Sequence, residues 1–341
     1  MKFAGIIAEY DPFHNGHAWQ LAQAKALGAE RVAVAMSCSL VQRGALPLLP
    51  EAVRTRSALT CGADLVFALP APCACAGAEA FARAGVALLA AAGCDGLVFG
   101  AETPDAALLM EAAELLDSGS YRAALKAQLA GGARSFAAAR QAAVAQLASD
   151  ERVAALLDKP NNNLAVEYCR AIRSLAPRME AYPLPRQGAN HGEALHSAHG
   201  QFASASALRK LWAEGGADAV APYVPEAVFP LYQEAYAAGQ YTDFSAAGRC
   251  ELALLRSACR GKAPFANIRG VSEGLEHRLE AAVRTSTTYD ELLDALTTVR
   301  YPRARMRRLA MDAALGCTAD SLPAFRPIST CWEGRRMPFL Y

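Results

Sequence analysis

The sequence holds no uninterrupted apolar stretch with the length and flanks of a membrane span, which argues against an integral helical membrane protein. Its first residues read as a buried strand rather than a basic segment followed by a cleavage site, so no secretory leader is expected. There are 10 cysteines but no CxxC pair, and without an export signal they read as reduced thiols of a cytoplasmic protein. Cys73 and Cys75, separated by one alanine after Pro72, read as small apolar residues in a packed turn. Charge of either sign is not in excess: 34 basic against 33 acidic residues gives a net +1, so there is no global nucleic-acid signature. What remains is a chain of 341 residues, 53% hydrophobic and rich in alanine. That length suits two domains, and the composition suits a helix-rich, well-packed protein.

The first hundred residues alternate strand and helix. Apolar runs at Phe3–Ala8, Val32–Met36, Leu65–Leu69 and Leu97–Phe99 predict buried parallel strands. Gly16–Leu27, Glu51–Cys61 and Ala78–Ala92 predict helices, with Gly28, Gly62 and Gly93 as their C-terminal stops. This alternation implies a doubly wound sheet, whose ligands bind outside the carboxyl ends of the strands. A helical insertion is expected over about 104–150, a further strand at Met179–Pro183, and a helix opening at Ser204. Strand signals fade beyond Gly215, so a catalytic domain over 1–215 and a helical domain over 216–341 are expected. The last residues, with Pro323, Pro327 and Pro338, read as an irregular tail.

The most informative motif follows the first strand. A turn through Asp11-Pro12-Phe13 delivers His14 and His17 to the first turn of a helix. Residues three apart there share a face, and helix N-termini attract phosphate. Two imidazoles at that place can donate to oxygens whose charge grows as a phosphoryl centre reacts. Gly16 keeps the backbone clear where a nucleotide would approach. A structural pair or half a zinc site is the alternative, but zinc needs three or four ligands and no cysteine or acid stands at a familiar metal spacing.

Glu9-Tyr10-Asp11-Pro12-Phe13-His14-Asn15-Gly16-His17 resembles the HxGH-type signature of the nucleotidyltransferase superfamily. The wider chain resembles bacterial tRNA(Met) cytidine acetate ligases through Met36-Ser37, Val41-Gln42-Arg43-Gly44, Gly62-Ala63-Asp64-Leu65-Val66 and Phe99-Gly100-Ala101-Glu102. Lys159-Pro160-Asn161-Asn162-Asn163-Leu164, Ala203 to Lys210, Glu273 to Arg278 and Arg300-Tyr301 continue that resemblance to about residue 310. It implies a Rossmann-like (HUP/nucleotidyltransferase) parallel sheet with a C-terminal helical domain. It implies ATP and acetate as substrates, Mg²⁺ bridging the phosphates, and elongator tRNA(Met) as acceptor at its wobble cytidine. His14 and His17 would be catalytic. Ile7, Ala8, Glu9, Tyr10, Asp11, Pro12, Phe13, Asn15, Gly16, Gly100, Asn161, Asn162, Arg186, Ser204, Ser206 and Arg209 would bind ATP, and no side chain stands out as a metal ligand.

Other readings stay open for several of these. Ser204 and Ser206 with Arg209 can hold β- and γ-phosphates or merely cap a helix. Asn161 and Asn162 can be helix caps, Gly100 an ordinary turn glycine, and Arg186 a surface residue. Arg300, Arg303, Arg305, Arg307 and Arg308 around Tyr301 can bind tRNA phosphates while the tyrosine stacks on a base, or can form a solvated helix face. His191, His196 and His199 read as loop histidines rather than metal ligands. The chain departs from the family at Cys38, at Ala45-Leu46, at Asp11 (commonly Asn), and at Pro50-Glu51-Ala52, where Ser-Lys-Trp is usual. The missing lysine predicts either that another arginine, such as Arg54 or Arg56, supplies its charge or that the substrate differs. A small-molecule adenylyl- or cytidylyltransferase and a catalytically weakened nucleotide- or RNA-binding homologue are the rival functions.

Overall fold

The computed structural model describes residues 1–132, 135–186, 195–197, 200–272 and 274–322. His191, His199, Glu273 and the expected proline-bearing tail lie outside these residues, and the side chain of His196 is not described. Strand β1 (Phe3–Ala8) is the middle strand of a five-stranded parallel sheet. The chain passes through α1 (Asn15–Ala26) to β2 (Arg31–Ser37), then α2 (Glu51–Thr60) to β3 (Leu65–Leu69). It then crosses by α3 (Ala71–Ala74) and α4 (Ala78–Ala91) to β4 (Gly96–Ala101) on the other side of β1. Four helices follow: α5 (Ala106–Asp117), α6 (Gly119–Ala130), α7 (Phe136–Leu147) and α8 (Glu151–Leu156). Then α9 (Pro160–Leu175) leads to the edge strand β5 (Glu180–Pro185). The order β3-β2-β1-β4-β5 reverses between β1 and β4, and that is where doubly wound sheets open a ligand crevice.

Period-two alternation in the strands explains the layering. Ala4, Ile6, Val32, Val34, Met36 and Val98 share one core with Leu21 of α1 and Ala58 of α2. Ala33, Ala35, Leu97 and Phe99 point the other way, into a core with α4, α9 and the α5–α8 insertion. Cys73 and Cys75 are buried at α3, and burial pushes the Cys75 thiol up to about 12.

Beyond β5 comes a short antiparallel hairpin, β6 (Leu195–Ser197) with β7 (Gly200–Phe202), that the glycine- and histidine-rich segment did not predict. Helices α10 (Ala205–Gly215) and α11 (Phe229–Ala237) come next. Ala217, Val220, Val228 and Tyr232 join the α1-side core of the sheet, although they lie past the boundary expected at 215. A separate core gathers α12 (Phe244–Ala258), α13 (Leu275–Thr285), α14 (Tyr289–Leu296) and α15 (Arg303–Leu315). This bundle meets the sheet at the loop after β2. Gly44 has φ +76, and a Cβ there would stand 2.7 Å from the backbone nitrogen of Arg308 on α15.

The same loop is fixed from within by Arg54 on α2, whose side chain is fully buried. Its guanidinium donates to Leu49 O at 2.9 Å, Glu9 O at 2.8 Å and Ser37 O at 2.6 Å, and also to Cys38 O. It thereby ties the carboxyl ends of β1 and β2 together. Arg54→Met leaves four carbonyls without that donor, two of them in buried bonds, and each buried one costs about 1–3 kcal/mol if unsatisfied. A loss of about 3 kcal/mol or more of unfolding free energy by urea titration is the expected outcome.

Candidate active site

Tyr10, at φ +49, turns the chain sharply out of β1, and the Asp11–Pro12 peptide is cis. Phe13 is fully buried, and its carbonyl accepts from the Tyr232 hydroxyl at 2.7 Å, so α11 props the turn from behind. His14 is then the N-cap of α1. Its Nδ1 accepts the Gly16 N–H at 3.0 Å, while the His14 N–H donates to Nδ1 of His17 at 3.3 Å. The two histidines form a capping box in place of the usual Ser/Thr and Glu. Their rings stack with centroids 3.7 Å apart, and Tyr10 stands edge-on to His17 at 4.8 Å. A Cβ on Gly16 would meet His14 Cε1 at 2.9 Å, so the room over this glycine is taken by the imidazole itself.

Two consequences follow for the chemistry. Because both Nδ1 atoms accept from backbone N–H groups, a neutral ring must carry its proton on Nε2. Burial lowers both pKa values, that of His14 to about 3, with the Arg186 charge adding to the effect; His17 also feels His14. The pair is therefore neutral through the physiological range and presents two Nε2–H donors.

Asp11, with a side chain 1% exposed, organises the cations beside the pair. Its carboxylate takes the Leu48 N–H at 2.6 Å, Arg43 at 2.9 Å and Arg209 at 3.2 Å; Arg209 also donates to Asp11 O at 2.6 Å. Arg43 reaches over the Phe244 ring, 5.1 Å from its centroid, and so links the turn to α12. Glu9 accepts the Gln42 N–H, and burial raises its carboxyl pKa. Arg209 rises from α10, whose N-cap Ser204 accepts from the Ala207 N–H at 3.2 Å and lies 3.0 Å from the Ser206 hydroxyl.

On the β4 side, Gly100 is exposed at the strand end, and the next contacts run through Glu102. Of the two readings open for Asn161 and Asn162, the capping one does not hold: Glu102 caps α9, accepting the Asn161 N–H at 3.2 Å and the Asn162 N–H at 2.7 Å. Lys159, the N-cap residue, makes no side-chain cap bond, and Pro160 needs no partner for a missing N–H. The Asn161 side chain is thereby free for two others: it donates to Glu102 at 2.6 Å and accepts from Arg186. Asn162 is buried against Thr103, with bonds of 2.9 and 3.1 Å.

A model of the family described as HIGH Nucleotidyl Transferase matches residues 1–332. The tRNA(Met) cytidine acetate ligase of Acetivibrio thermocellus is 33% identical over 94% of this chain and 79% of that protein. That of Syntrophotalea carbinolica is 36% identical over 91% and 73%. A crystal structure of Thermotoga maritima TmcAL bound with alpha-thio ATP superposes with a TM-score of 0.85 at 29% identity, covering 94% of this chain and 76% of that one. The chain belongs to the tRNA(Met) cytidine acetate ligase family of HIGH nucleotidyl transferases.

Within this family site the other expected residues divide by position. Ile7 packs onto α4 at Gly85, and Asn15 is buried with its amide donating to Pro222 O at 3.3 Å, so neither side chain faces the crevice. The two arginines named as replacements for the missing lysine have other partners. Every guanidinium nitrogen of Arg54 is spent on backbone carbonyls, and Arg56 is exposed with Glu234 at 3.7 Å. Arg186 adds its charge at both histidines, while Arg43 and Arg209 stand at the Asp11 carboxylate. Sequence reasoning missed Glu102 as the group that holds Asn161 and Asn162 on the β4 side, because it acts across 59 residues with no local spacing to mark it.

In the bundle the five arginines scatter. Arg303 pairs with Asp290 at 2.7 Å and with Asp294 on α14, while Arg305 lies over Tyr301, 5.0 Å from its centroid. Arg308 reaches Gln42 O at 3.4 Å, and Arg300 is exposed with its guanidinium 5.8 Å from the Tyr301 centroid. Arg307, half-buried, adds its charge to the field at Arg209.

The depressed imidazole pKa values carry a stability signature. Above the unfolded value near 6.5 the pair contributes no pH dependence; below it the unfolded chain binds protons that the native state refuses. Stability should therefore fall as pH drops from 6.5 towards 4.5, by up to about 1.4 kcal/mol per pH unit per imidazole. Urea titrations of the native protein and of His14→Asn/His17→Gln should differ in this window, with the variant the flatter.

Proposed function

We propose that this chain joins acetate to the wobble cytidine of elongator tRNA(Met) at the expense of ATP. An acetate oxygen attacks the α-phosphate and pyrophosphate leaves. The N4 amine of cytidine then attacks the acetyl carbonyl of acetyl-adenylate, giving N4-acetylcytidine and AMP. The observation that carries this reading is the reciprocal histidine cap, which leaves two neutral Nε2–H donors at the switch point of the sheet, within a chain of this family. Those donors would bind the α-phosphate oxygens and gain strength as negative charge builds on them. Arg209 and Arg43, held by Asp11, with the Ser204/Ser206 helix start, would take the β- and γ-phosphates in place of the absent lysine. Asn161 and Arg186 would border the nucleotide beside Gly100.

Mg²⁺ would enter with ATP, held by phosphate oxygens and water. The nearby acids offer it little, since Asp11 is committed to two arginines and a backbone N–H, and no group of three His, Cys, Asp or Glu residues among the described residues could hold an ion. We assign the catalytic unit to the sheet together with the helices through α11, and tRNA docking to the α12–α15 bundle. No helix among the described residues is long and apolar enough to cross a membrane.

The test is incorporation of labelled acetate into unmodified elongator tRNA(Met) with ATP and Mg²⁺. Label at the wobble cytidine is the expected result. Pyrophosphate release with no label in tRNA would favour a small-molecule nucleotidyltransferase instead. His14→Asn and His17→Gln keep groups that cap helices well. Each should leave Tm within a few degrees while lowering kcat about 100-fold or more.

A further inference from the structure

Where the bundle meets the sheet unit, a cavity of about 240 Å³ lies away from the histidine crevice. One wall is the loop from Cys75 to Gly77 and Ala80 of α4; the other is Arg269, Arg305, Arg308 and Asp312. Its charges do not cancel. Asp312 is used up by Arg269, which grips both carboxylate oxygens at 2.9 and 2.5 Å and also donates to Pro72 O. Among the described residues no carboxylate comes within ion-pair distance of Arg305 or Arg308. The hydrogen bonds that Arg305 makes are both 3.4 Å, to Gly270 O and Ser272 Oγ, and the bond of Arg308 to Gln42 O is equally long. Burial pulls the Arg308 pKa down, the mark of a guanidinium short of compensating charge. The first turn of α4 begins at the same wall with Gly77 as its N-cap and no side-chain cap, while Glu79 in that turn leans to Arg170, 3.7 Å away.

We infer that this cavity is an anion site that takes a phosphate group between the two units, with Arg305 and Arg308 as its ligands. Two half-buried guanidiniums with poor acceptors gain two forked, charge-assisted contacts from one tetrahedral dianion or phosphodiester. The volume holds a phosphate with several waters, each taking about 30 Å³. Because the walls come from α4 on one side and α15 on the other, the bound anion fastens the bundle to the sheet. Resting on the proposed tRNA chemistry, its occupant is a backbone phosphate of the RNA; a free phosphate is the same chemistry from a second source.

The test compares the full-length protein with Arg305→Gln/Arg308→Gln. In inorganic phosphate, at ionic strength matched with chloride, the Tm of the wild type should rise, and that of the variant should not. The variant should also bind tRNA several-fold more weakly, with the slope of log K against log salt smaller by about 1. If the glutamine pair does not fold, Arg305→Lys/Arg308→Lys keeps the charge without the fork and should need several-fold more phosphate for the same rise. Loss of the phosphate response with unchanged tRNA binding would support the site and assign it to free phosphate. No phosphate response in the wild type, or an equal response in the glutamine pair, overturns the inference. A wild type that binds no tRNA at all would instead strike at the proposed function, leaving the phosphate response to judge the cavity.

Discussion

The site depends on one local interaction: two histidines three apart that cap each other's backbone at the start of α1. An N-cap normally uses a short side chain, because the acceptor must sit close to the N2 and N3 amides. Imidazole satisfies that need with Nδ1, and doing so fixes the ring, the tautomer and the direction of Nε2–H together. The cap therefore prepares the donors before any ligand arrives, which is the condition under which fixed dipoles stabilise developing charge at low reorganisation cost. Neutrality matters as well. A cationic pair 3.7 Å apart would repel, whereas two neutral stacked rings can stand side by side beneath one phosphate.

Everything around the cap serves to hold it at the end of β1. Tyr232 supports the Phe13 carbonyl from α11, Arg54 ties β1 to β2, and Asp11 gathers Leu48, Arg43 and Arg209. Asp11 stands where asparagine is common in the resembling family. A carboxylate in that place brings Arg43 and Arg209 onto a single oxygen, which an amide could not neutralise in the same way. Under the proposed function, that arrangement would answer the missing lysine, with positive charge from the loop after β2 and from α10.

Much of this was legible in the sequence because it is carried locally. The four apolar runs are strands, since β-branched and small residues alternate between two cores at period two. The histidine turn announces itself through its residues and spacing. The β5 strand and the α10 start were also readable from apolar runs and a serine cap. What escaped reading acts at long range. Glu102 caps a helix that begins almost sixty positions later, and Arg54 looked like a spare cation because nothing in a sequence shows that four carbonyls surround it. The residues from Ala217 to Tyr232 looked like the start of a helical domain, because amphipathic helices carry no label for the core they join; their apolar faces pack on the sheet. The arginine run around Tyr301 likewise looked like one patch, yet packing sends Arg303 to the acids of α14 and Arg308 to the sheet unit.

The most direct test of this account is a two-bond ¹H–¹⁵N correlation spectrum of the imidazoles, followed from pH 8 to pH 4. His14 and His17 should both appear as Nε2–H tautomers at neutral pH and stay neutral to pH 5, with shifts at Nε2 when ATP is added. An Nδ1–H tautomer for either ring, or ordinary titration of the pair between pH 6 and 7, would contradict the reciprocal cap and the role built upon it.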